Sequence, residues 1–74
     1  MKLNYHVFSA KAFDAVYEAL ENSEVAQTAT MYAGTLFVKC NAYSAAKIET
    51  ALIKHLECGV IVGRVGPEYA FDFV

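Results

Sequence analysis

Two histidines, two cysteines and a short acidic series are the residues of this chain that could do chemistry. His6 and His55 fall in different expected elements, and neither stands in an ExxH or HxxxH spacing, so they offer no zinc ligand set. Cys40 closes one expected strand, and Cys58 follows an expected helix over residues 42–57. Such a helix is roughly 24 Å long at about 1.5 Å per residue. A disulfide needs Cα atoms within roughly 7 Å, so an internal bridge is not expected. The helix C-terminus disfavours a thiolate at Cys58, and Cys40 alternates onto a buried face, so both read as structural thiols. Asp14, Glu18 and Glu21, with Glu24 beyond them, form an acidic ridge. Asp14 and Glu18 are like charges at i, i+4 spacing, which works slightly against the helix that carries them. The ridge is either a solvated face or a surface that steers a basic partner. No acid, base and nucleophile converge on one locus. The chain reads as non-enzymatic, with no catalytic residue, cofactor or metal.

The elements that must position these residues follow from hydrophobic periodicity. Residues 2–8 alternate Leu3, Tyr5, Val7 against Asn4, His6, Phe8, which predicts a strand. Phe13, Val16, Tyr17 and Leu20 then form a helical stripe over residues 10–22. Residues 26–33 and 35–40 alternate again around Ala33-Gly34, a tight hairpin signal because glycine supplies positive φ. A second helix over 42–57 turns Ala45, Ile48, Leu52 and Leu56 inward, and Gly59 follows as its expected left-handed stop. Val60–Val65 is a β-branched strand, Gly66-Pro67-Glu68 turns the chain, and Tyr69–Val74 alternates as a last short strand. A strand-helix unit is thus expected twice. Ser9 falls on Asn41, Val16 on Ile48 and Ala19-Leu20 on Ala51-Leu52, with Ser9 and Asn41 as the two helix caps. Anion binding at Ser9 and Lys11, or at Asn41 and Ser44, is the other use of such helix starts.

The order β-α-β-β-α-β with one added strand predicts a single α+β domain over residues 1–74. Right-handed crossovers give it a ferredoxin-like two-layer sandwich, an antiparallel sheet with both helices on one face and an extra short C-terminal strand. Leu3, Tyr5, Val7, Met31, Leu36 and Val38 should face the helices. Asn4, His6, Phe8, Thr28, Thr30, Tyr32, Phe37 and Lys39 should line the uncovered face. The Tyr69–Val74 edge should be free to pair with a partner's strand. The expected contact residues are therefore His6, Phe8, Tyr32, Phe37, Lys39, Arg64, Tyr69, Phe71 and Phe73, with Asp14, Glu18 and Glu21 as the acidic ridge. Alternatively, the last strand folds over the open face and makes it core.

Gly63-Arg64-Val65-Gly66 resembles the glycine-flanked turn of acylphosphatases, a family with the expected fold. There the phosphate cradle follows the first strand, where this chain has Phe8-Ser9-Ala10-Lys11. Heavy-metal-associated domains carry two cysteines in that same loop, and this chain carries none. Neither activity is carried over. The open face also resembles an RNA-recognition-motif platform in outline, but Thr35–Cys40 lacks the motif's basic-Gly-aromatic-Gly-aromatic run.

Composition narrows the partners. At 74 residues the chain buries only about 60–65% of its extended surface, which makes association a natural source of stability. Hydrophobic residues make up 57%, including five Tyr and five Phe, so some aromatic surface should remain exposed. A net charge of −2 and no Lys/Arg run disfavour nucleic acid, and no apolar stretch is long enough to span a membrane. Unpaired thiols and no signal peptide suggest a cytoplasmic setting. The expected function is a small protein-interaction module, homodimeric, binding itself or another protein as an accessory or inhibitory factor of the kind viruses encode. The alternatives are a small-ligand or anion-sensing regulatory domain and, behind it, a single-stranded nucleic-acid binder.

Overall fold

The computed structural model describes residues 5–21 and 28–74. Leu3, Asn4 and Glu24 of the expected strand and ridge lie outside those residues. The elements run α1 (Tyr5–Leu20), β1 (Thr30–Tyr32), β2 (Thr35–Lys39), α2 (Ala42–Leu56), β3 (Val60–Val65) and β4 (Glu68–Phe73). The strands form one sheet in the order β1-β2-β4-β3, with every neighbouring pair antiparallel. Both helices pack on one face of it, as in a ferredoxin-like α+β sandwich. β2, α2 and β3 make a split β-α-β unit with β4 between its strands.

Among the described residues one expected element is absent, and another has moved. Residues 5–8 are helical, so the first strand does not form there and α1 starts at Tyr5. Nothing between Phe8 and Phe13 breaks a helix. Extending α1 backwards gains a hydrogen bond per residue fixed, without the closure of a long loop. The slot in the sheet between β2 and β3 is filled by β4. The two-residue turn Gly66-Pro67 delivers β4 beside β3, with Val65 opposite Glu68. A local hairpin costs far less closure entropy than recruiting residue 5 to the same place. The last strand is therefore interior, neither an edge nor a flap, and Ser9 lies inside α1 rather than capping it.

The second half follows its local signals more closely. Asn41 caps α2 with φ −87° and ψ 172°, and its Oδ1 accepts from the Ser44 N–H at 2.8 Å. The helix stops one turn before Gly59: Glu57 is left-handed at φ 52°, and its N–H donates to the Ile53 carbonyl at 2.9 Å. Gly59 is needed for a different reason. A Cβ there would stand 2.6 Å from Val74 Cγ2. At the first hairpin, Ala33 (φ 50°) and Gly34 (φ 83°) both take positive φ, the requirement of a type I′ turn.

The core is built from small residues on the helices and large ones on the sheet. Ala12, Ala15, Val16 and Ala19 of α1 meet Ala45, Ile48, Ala51 and Leu52 of α2 over Leu36, Val38 and Phe71. Alanine at the helix contact lets the two axes approach closely. The buried stripe of α1 thus centres on its alanines, leaving Phe13 and Leu20 half-buried and Tyr17 exposed.

Candidate functional site

Directly opposed residues in antiparallel strands point to the same side, so the registers sort every side chain of the sheet. Leu36 opposes Phe71, Val38 opposes Tyr69, and Phe71 and Tyr69 oppose Val62 and Arg64. All of these lie on the helix side. The other side carries three rows across the strands. Tyr32 pairs with Thr35, whose Oγ1 donates to Asp72 Oδ1 at 2.5 Å, and Asp72 pairs with Ile61. Thr30, Phe37, Ala70 and Gly63 form the middle row, and Lys39, Glu68 and Val65 the third.

No described element covers that face. Tyr32 is 72% exposed, Ile61 56% and Val65 57%, while Phe37 is half-buried and Ala70 beside it is buried. Side-chain size falls along the middle row from Phe37 through Ala70 to Gly63, where a Cβ would meet nothing within 4 Å. The charges of this face are Lys39, opposite Glu68, and Asp72 in its bond to Thr35. Among the described residues the face thus carries one cation against two carboxylates.

Tyr32, Phe37 and Lys39 therefore lie together on the open face, as their alternation predicted. Six other expected contact residues do not join them. His6 and Phe8 are on α1, with the Phe8 ring edge-on to Phe73 at 4.8 Å. Phe71 is fully buried in the core. Tyr69 and Phe73 are half-buried on the helix side. The sixth, Arg64, is exposed at the sheet margin. Its guanidinium stands 5.4 Å from the Tyr69 ring centre, and its Nε donates to the Gly66 carbonyl. Ile61 and Val65 were outside the expected set. Alternation in β3 separates two sets of side chains but does not say which set meets the helices; only pairing with β4 decides.

The acidic ridge is partly neutralised. Glu18 Oε2 lies 2.7 Å from His55 Nε2, and its Oε1 is 3.6 Å from Lys54 Nζ. Hydrogen bonding by His55, followed by the Lys54 charge, holds the Glu18 carboxyl below its ordinary pKa despite some opposing desolvation. Asp14 and Glu21 remain exposed. A groove of about 480 Å³ runs between the helices over Ala19, Ala46 and Ala51, walled by Tyr43 and by Lys47, which sits 5.0 Å from the Tyr43 ring centre.

No family model matches the sequence, and no curated protein or solved structure matches it either. Cys40 and Cys58 are free thiols, and burial raises the Cys40 pKa, the opposite of what a nucleophile needs. Among the described residues no group of three His, Cys, Asp or Glu side chains could hold a metal, and no helix is long and apolar enough to cross a membrane.

Proposed function

We propose that this domain is a small non-enzymatic interaction module, homodimeric and cytoplasmic, that serves as an accessory or inhibitory protein and presents its open sheet face to a protein partner. One observation carries the reading: Tyr32, Ile61 and Val65 stand exposed around Phe37 and Ala70 on a sheet face that no described element covers. Leaving such side chains in water forgoes burial energy, on the order of 25 cal/mol per Å² of apolar surface. A partner surface recovers it. Aromatic residues at the centre of an interface supply much of its binding energy, which makes Tyr32 and Phe37 the expected anchors. The sparse charge matches a protein partner better than a nucleic acid or an anion.

The test compares the domain with its Tyr32→Asp and Phe37→Asp variants in capture from the native host, followed by titration of each purified captured protein. The reading expects a partner bound by the parent and weakened at least tenfold by either substitution, with both variants still folded by circular dichroism. A partner bound equally by all three forms would place the working surface elsewhere.

A further inference from the structure

We propose that the exposed edge of β3 pairs antiparallel with β3 of a second copy, about a two-fold axis at Gly63, to give one continuous eight-stranded sheet. The inference rests on the homodimer part of the reading above and names the surface that forms it.

The sheet has two edges, and they differ. β1 is three residues long, whereas β3 runs six residues from Val60 to Val65 and pairs only with β4 among the described residues. Natural edges are commonly blunted by proline, by lysine or by an outward charge. β3 has no proline and one charge, Arg64, whose guanidinium folds back onto Tyr69 and the Gly66 carbonyl.

The spacing along β3 is self-complementary. Residues flanking a two-residue hairpin exchange both backbone hydrogen bonds, so Val65 bonds inward to Glu68, and by alternation Gly63 and Ile61 also bond inward. The N–H and C=O groups of Val62 and Arg64 then point outward, unused within the sheet. A two-fold at Gly63 sets Val62 against Arg64 of the second copy and satisfies both residues twice over. It also makes Gly63 oppose its own copy in a non-hydrogen-bonded pair, where Cα atoms come within about 4.5 Å. Glycine inside a strand is otherwise a weakness, and a close backbone approach is a reason to have one. Ile61 and Val65, both exposed and equidistant from Gly63, meet each other's copies in the two flanking pairs. No like charges are brought together: Arg64 opposes Val62, not itself. The axis is perpendicular to the sheet, so both open faces end on the same side and remain available.

The decisive experiment measures mass against concentration by sedimentation for the parent and for two double variants, Ile61→Glu with Val65→Glu, and Ile61→Glu with Val65→Lys. The proposed register opposes Glu to Glu in the first and Glu to Lys in the second. A dimeric parent is expected, with dimer affinity falling at least about tenfold in the Glu/Glu form and largely restored in the Glu/Lys form. Arg64→Pro, which removes an outward N–H, should also give a folded monomer. A dimer unaffected by these changes but broken by Tyr32→Asp would overturn the edge pairing while leaving the homodimer intact. A parent that stays monomeric at several hundred micromolar would overturn both.

Discussion

Glu18 and His55 join the two helices across their exposed faces, Oε2 to Nε2 at 2.7 Å, with Lys54 as a second cation on the same carboxylate. The contact links an acidic position near the end of α1 to the basic last turn of α2, where Lys54 and His55 also favour the helix dipole. It turns part of an expected docking ridge into an internal tie.

That tie sets an acid dependence. The folded-state pKa of Glu18 is depressed below 4.5, so its contribution is complete above pH 4.5 and is lost as pH falls through the lower folded value. Urea midpoints between pH 3 and pH 7 should therefore drop at the acid end, and Glu18→Gln should shrink that drop. An unchanged acid limb in the variant would show that other carboxylates set it.

Ala33 holds φ 50° in the β1–β2 turn, beside Gly34 at φ 83°. A left-handed conformation costs a residue with a Cβ roughly 1–2 kcal/mol, and asparagine tolerates it best. Ala33→Asn should raise stability by about 0.5–1 kcal/mol. For a domain this small that amounts to a Tm increase of about 3–6 °C by calorimetry. Ala33→Val should lower it.

Gly59 and Val74 should behave as a coupled pair. The Val74 N–H donates to the Gly59 carbonyl at 3.0 Å, and Val74 Cγ2 occupies the space a Cβ at 59 would need. Gly59→Ala alone should cost about 1 kcal/mol, the low end for overpacking, because Val74 is exposed and can rotate. In a Val74→Ala background the cost should vanish, since the blocking methyl is gone. Denaturation of the four forms closes the cycle, and strict additivity would disprove the coupling.

Phe71 and Tyr32 test the sorting of the sheet's aromatics. Phe71 is fully buried between β2 and β3, and Phe71→Ala should cost about 3–5 kcal/mol, enough to unfold much of a domain of this size. Tyr32→Ala, on the open face, should stay within about 0.5 kcal/mol. Comparable losses at both positions would mean that the open face is covered.

Where a signal is local, it could be read directly. Ala33-Gly34 and Gly66-Pro67 make the hairpins they advertise, because a tight turn depends on its own few dihedral angles. Asn41 caps α2, and the alternation in Thr35–Lys39 sends Leu36 and Val38 inward with Phe37 and Lys39 outward. Residues 5–8 misled because their alternation is also compatible with the start of a helix, and no breaker separates them from the rest of α1. The apparent repeat holds within the helices, where Val16 and Ile48 are both buried, and fails at Ser9, which lies inside α1 where Asn41 caps α2.

By itself, then, the chain determined its α+β class, its two helices and its turns. These depend on short-range periodicity and on residue chemistry. Tertiary structure alone decided which strand holds the centre of the sheet. That choice is a competition between distant segments, won by the one that a two-residue turn delivers at low entropic cost. With β4 central, Phe71 became core, Tyr69 and Phe73 turned toward the helices, and Ile61 and Val65 joined Tyr32 and Phe37 on the open face. The edge passed to β3, because a strand's pairing partners are set by the whole sheet and not by the strand.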